Sequence, residues 1–280
     1  MNTARRSWLF AVVAALGVGV ALGAPPTAAF LTVDKHTAAV GDVVKLHFET
    51  GGAKDAQPAP WPRNQVEWMF VRGGADQENQ HNVQPTDARE NNVPLKVTHA
   101  GVTLIGADQK PQVLEMTAAE FRAFAGQNLE LGEAAGKLPE GEARIRVRHI
   151  ASAKALVRTP AADGRLIPWA IAASKAGQAV EMRPLFDPTA ICPESDLPLC
   201  YYVNGAKVPG AKIQATNVTT GATVGFVTDR GGAGYFHVAE CGVWRVVAQH
   251  ARPLEGDAKA DWELRTATLT FEVTGKGARP

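Results

Sequence analysis

Between residues 199 and 273 the chain is a succession of short β-favouring runs, at 199–203, 211–216, 223–228, 234–238, 244–250 and 266–273. Gly, Asn or Asp separates most of them, and the charged stretch 255–261 reads as a hairpin loop before the last run. Strands this short and this closely spaced predict a sandwich or a barrel. Gly 27 and Pro 18 in 280 residues supply the many turns such a fold needs.

The first half carries the same period in a weaker form. Val44, Leu46 and Phe48 share one face of a strand, and Lys45, His47 and Glu49 share the other, with Gly41-Asp42 and Gly51-Gly52 as turn signals on either side. Val66, Trp68 and Phe70 repeat the pattern, as do Val93, Leu95 and Val97. A further apolar stretch at 102–105 follows His99-Ala100-Gly101, which predicts a hairpin. Pro94 has no N–H for a ladder, so its strand belongs at a sheet edge.

Thr117-Ala118-Ala119-Glu120 has the form of a capping box, with Ala119, Phe121, Phe124 and Ala125 at helical spacing behind it, so a helix is expected near 117–127. Residues 142–153 stay open between helix and strand, and 154–158 read as strand. The expected fold is mainly β, with two β-sandwich-like domains at 30–190 and 196–280, the first holding that short helix. The linker is Cys192-Pro193-Glu194-Ser195-Asp196-Leu197-Pro198 and the boundary falls near 188–198.

Residues 1–29 read as an address. Arg5 and Arg6 precede an apolar run at 8–22, too short for the roughly twenty residues that span a bilayer. Gly23, Pro25 and Pro26 break it, and Thr27-Ala28-Ala29 offers small residues before a cleavage point. The expectation is a cleaved signal peptide and a soluble protein in the oxidising periplasm. Lys+Arg 29 against Asp+Glu 28 leaves a net charge of +1, which argues against a nucleic-acid partner, since such binding needs a concentrated positive field.

Three segments resemble a small transthyretin-like or carboxypeptidase-regulatory-like β-sandwich. They are Val203-Asn204-Gly205 through Ile213, Thr228-Asp229-Arg230-Gly231 through Phe236, and Cys241-Gly242-Val243-Trp244-Arg245-Val246. Upstream lie Leu114-Glu115-Met116-Thr117, Ser152-Ala153-Lys154-Ala155 and Gly177-Gln178-Ala179-Val180-Glu181-Met182-Arg183-Pro184. In this order the segments resemble a bacterial periplasmic family of largely unknown function, long labelled a nickel/cobalt-uptake substrate-specific component. Members often open the mature chain with a His; here the first His is His36. The resemblance implies a nickel or cobalt ion as ligand and an envelope transport system as partner.

The seven histidines form no H-x-H or H-x-x-x-H pair, so a metal site would have to be assembled from separate strands. His47, from its strand position, and His250, from the resemblance, are the candidate ligands. No G-x-S-x-G elbow or Walker loop is present, and paired acids such as Glu130 and Glu133 read as surface, so the chain is not expected to be an enzyme. Cys192 and Cys200 flank a short junction loop and are the first choice for a structural disulfide, with Cys200 and Cys241 as the alternative. The expected function is a periplasmic binding or accessory protein for metal uptake. The rival is a structural or adhesive module that binds protein or glycan, for which Trp61, Trp169, Tyr201 and Tyr202 are the aromatic candidates.

Overall fold

The computed structural model describes residues 26–62, 64–73, 80–81, 91–163 and 170–275. The first half contributes β1 (Ala28–Val33), β2 (Val43–Gly51), β3 (Gln57–Ala59), β4 (Val66–Gly73), β5 (Gln80–His81), β6 (Asn92–Lys96), β7 (Gly101–Gln109), β8 (Gln112–Thr117), α1 (Ala118–Asn128) and β9 (Arg144–Thr159). Then come β10 (Val180–Pro184), β11 (Ser195–Val203), β12 (Ala206–Lys207), β13 (Lys212–Asn217), β14 (Thr223–Val227), β15 (Ala233–Val238), β16 (Gly242–Pro253) and β17 (Trp262–Val273). The fold is mainly β, as the spacing predicts. Among the described residues no helix is long and apolar enough to cross a membrane.

Three sheets make three layers. The central sheet runs β14-β13-β16-β17-β9-β7-β4-β5, with β8 also on β9. A small sheet of β1, β2, β3 and β6 covers one face, where Leu31, Leu46 and Phe48 meet Met69, Ile105, Ala155 and Val157. A second small sheet of β10, β11, β12 and β15 covers the other, where Leu197, Leu199 and Tyr201 meet Leu104, Leu156, Trp244 and Phe271. Helix α1 closes one end through Phe121 against Trp262, ring centroids 5.3 Å apart. Its capping box is formed: Thr117 Oγ1 accepts from Glu120 N, and Glu120 Oε2 accepts from Thr117 N.

The expected division at 188–198 is not a break in the fold. β17 pairs in parallel with β9 from Trp262↔Val147 to Thr270↔Ala155, so strands from both sides of that boundary share one sheet. β10 and β11, which flank it, pair with each other. The expected hairpin around His99-Ala100-Gly101 also fails. β6 joins the small sheet through β2, with Pro94 opposite Lys45, while β7 joins the central sheet. Gly101, at φ 109°, turns the chain between layers, a conformation open to glycine. Of residues 142–153, those from Arg144 on resolve as the start of one long strand, β9, and the first two lie just before it.

Limited proteolysis is therefore expected to release no stable fragment starting near residue 195. Such a fragment loses β9 and β10 and exposes two apolar faces. A folded, protease-resistant C-terminal piece on a gel would contradict the shared sheet.

Candidate functional site

In β1 and β2, Thr32 lies opposite His47 and Phe30 opposite Glu49. The alternation read from the sequence holds, with Val44, Leu46 and Phe48 in the core. On the other face Lys45 is exposed, while His47 and Glu49 are half-buried. β1 lodges against the central sheet, and Arg245 and Glu272 reach over from β16 and β17. Together with Thr32, His36 and His47 they line an open cleft of about 450 Å³.

Each polar group in the cleft has a defined setting. His36 is buried and its Nδ1 lies 3.0 Å from Leu156 O. A carbonyl only accepts, so Nδ1 carries the proton and Nε2 is bare, with Thr32 Oγ1 3.4 Å away. Burial pushes the His36 pKa below its ordinary value, helped by Arg245 and His47 and opposed by Glu272 and the Leu156 bond. His47 Nε2 lies 3.2 Å from Glu49 Oε1. The second oxygen of Glu49 is paired with Arg245, whose Nη1 donates to Ala53 O at 3.2 Å. The Arg245 guanidinium also stands 5.3 Å from the Phe30 ring centroid, and its Nε is buried without a hydrogen-bond partner. Thr37 Oγ1 donates to Glu272 Oε2 at 2.8 Å.

The structure does not bring His47 and His250 together. Arg245 and His250 lie five residues apart on β16 and so point to opposite faces. His250 stands across from Arg265, and burial, then Arg265 and Arg252, hold its pKa at about 4. The imidazole that shares a cleft with His47 is His36, which the spacing of residues could not single out. Among the described residues no group of three or more His, Cys, Asp or Glu side chains could hold a metal ion.

The remaining candidates are also redistributed. All three cysteines are free: Cys192 and Cys241 are exposed and Cys200 is buried. Neither expected pairing, Cys192–Cys200 or Cys200–Cys241, forms, because Arg183 and Ala233 stand opposite Cys200. Tyr201 and Tyr202 are buried, the first with its hydroxyl 3.3 Å from Arg265 O, the second beneath Lys175 Nζ at 4.7 Å from the ring centroid. Trp169 lies outside the described residues. Trp61 is buried edge-on against Phe48, at 5.0 Å between centroids, and lines a wider groove of about 740 Å³. That groove also presents Thr50, Asn64, Gln65, Gln109, Gln112 and His149, and none of the described residues lining it is Asp, Glu, Lys or Arg.

No protein-family model and no curated protein sequence matches the chain. Among solved structures, murine CEACAM1b aligns over 88% of this chain and 98% of its own, at 9% identity and a TM-score of 0.19. A Salmonella alpha-2-macroglobulin mutant aligns over 89% of this chain and 16% of its own, at 10% identity and a TM-score of 0.23. Both similarities are too weak to carry an argument about this chain.

Proposed function

We propose that the protein is an exported, non-enzymatic binding or accessory protein of the periplasm, whose ligand enters the cleft between β1–β2 and the β16–β17 side of the central sheet. One observation carries this reading: His36, His47, Glu49, Arg245 and Glu272 converge on a single open cleft from distant parts of the chain. The resemblance seen in the sequence points to a nickel or cobalt ion as ligand and an envelope transport system as partner; the cleft offers such an ion two imidazoles, His36 and His47, which among the described residues belong to no ready-made group of three or more ligating side chains. Imidazole nitrogen suits both ions, and His36 offers a bare Nε2 held in place by its Nδ1 bond. Capture requires His47 to exchange Glu49 for the ion, so binding is coupled to a local rearrangement. Export is supported by the burial of β1, which becomes continuous from Phe30, the residue after the expected cleavage point.

Calorimetry on the tag-free protein with Ni²⁺, Co²⁺, Cu²⁺ and Zn²⁺ tests the metal reading. Binding of Ni²⁺ or Co²⁺ is expected, abolished in His36→Ala/His47→Ala and retained in His250→Ala. Dissociation constants weaker than about 1 mM for all four ions would remove it. A second reading, a glycan- or protein-binding module, is favoured by the uncharged, amide-rich groove beside Trp61.

A further inference from the structure

The positions of the three cysteines discriminate between pairings. Cys200 is wholly buried in β11. At the other end of the same ladder, Glu194 N donates to Val238 O at 2.8 Å. Six strand steps from Glu194 to Cys200 span about 20 Å. The two residues back to Cys192 recover at most about 7 Å of that. Bridged cysteines need Cα atoms within about 7 Å, so Cys192 does not reach Cys200. Cys241 lies past the Val238 end of β15, whereas Cys200 faces Ala233 at its opposite end.

Cys192 and Cys241 share one corner. β11 and β15 run antiparallel with Ser195 opposite Val238 as their last pair. Each of the two cysteines lies three residues beyond that pair on its own strand. Glu194, at φ 64°, turns the chain as it enters β11. A second path leads to the same place. Arg158, which lies within electrostatic reach of Cys192, donates to Thr274 Oγ1 at 3.2 Å. At the next residue, Gly275, a Cβ would stand 2.8 Å from Cys241 Sγ.

We propose that Cys192 and Cys241 form a disulfide and that Cys200 remains a buried thiol. The bond forms by exchange with a small-molecule or protein disulfide. The two thiols give up two protons and two electrons, and the oxidant's disulfide is reduced to two thiols. Both partners are exposed, so an oxidant reaches either of them. The bridge ties the segment entering β11 to the β15–β16 turn. Its formation in the cell rests on the export reading; its geometry does not.

The full chain, purified reduced, is oxidised with oxidised glutathione, alkylated and mapped without reduction. Cleavage at Glu194 or Asp196 separates Cys192 from Cys200, and cleavage at Asp229 or Glu240 separates Cys200 from Cys241. The expected product links Cys192 to Cys241, with Cys200 alkylated only after denaturation. Cys192→Ser and Cys241→Ser each abolish the link, and Cys200→Ser keeps it. Reduction lowers the melting midpoint of the linked protein by on the order of 10 °C. A Cys192–Cys200 or Cys200–Cys241 link, or three free thiols after equilibration with oxidant, overturns the proposal. Protein from the periplasmic fraction is expected to carry the same link. Free thiols there, in a protein that links readily in the tube, count against export alone.

Discussion

Lowering the pH from about 6.5 to about 4 is expected to cost this fold several kcal/mol, through histidines that full or partial burial keeps uncharged. His149, in β9, is held at about 4 by burial, with Thr266 Oγ1 3.0 Å from its Nε2. Unfolded, it titrates near the ordinary 6.5. Across that window the unfolded chain binds a proton that the folded chain refuses, so stability falls as pH falls. For His149 the loss is about 3 kcal/mol. His250 and His36 are displaced in the same direction. Two groups run the other way. Burial raises Asp108, so its cost to the fold is relieved in acid, and Asp196 and Glu194 raise the exposed His237. The lowered carboxylates Asp257 and Asp261 lose their contribution only at more acid pH, below the unfolded value of 3.8. Urea unfolding across this range should show the decline, and His149→Gln should flatten it. An identical pH profile in the variant would mean that His149 is not buried uncharged.

The second large effect is expected at the ion pair between the central sheet and β10. Lys154 Nζ lies 2.5 Å from Glu181 Oε1, and both side chains are almost wholly buried. Glu181 also accepts from Ala176 N at 2.7 Å and Gly177 N at 3.2 Å, while Lys154 donates to Met182 O at 3.2 Å. Removing one partner leaves an uncompensated charge in the core, which costs about 3–5 kcal/mol. Lys154→Met should fall in that range. Glu181→Ala should cost more, since it strands two backbone donors as well as the ammonium. The double variant should recover part of the loss, because no buried charge remains. A cost below about 1 kcal/mol for Lys154→Met in denaturant titrations would show that water reaches the pair.

What the sequence discloses depends on how many faces of an element are covered. β2 is legible because one face meets the core and the other carries Lys45, His47 and Glu49. α1 is legible because a capping box is a local device. β9 is legible only in part: 154–158 read as strand, while 142–153 stay open, because a strand that passes between two layers has no continuous polar face. From Ala151 to Thr159 every residue is buried, and Lys154 interrupts the run without marking a surface. The small-residue run through Ala29 reads as the end of an address and hides the fact that Ala28 already pairs with Gly51 in β1. The cleft is harder still. His36 and His47 sit close in the chain, but Arg245 and Glu272 reach them only through the packing of β1 on the central sheet, and no spacing rule encodes that. His250 looks like a partner for His47 until the register of β16 sends it to the other face.

The parallel pairing of β17 with β9 also sets the order in which the chain can fold. A polypeptide delivered from its N-terminus presents β9 long before β17 exists. Until residues 262–273 arrive, one long edge of β9 has no partner and the middle of the central sheet is missing. Most native contacts are remote in sequence. Such topologies close slowly, because loop entropy is spent before contacts return it. The unfinished chain therefore carries a sticky strand edge for much of its synthesis. A stop codon just before β17 would remove the keystone of the whole assembly, not merely its last strand.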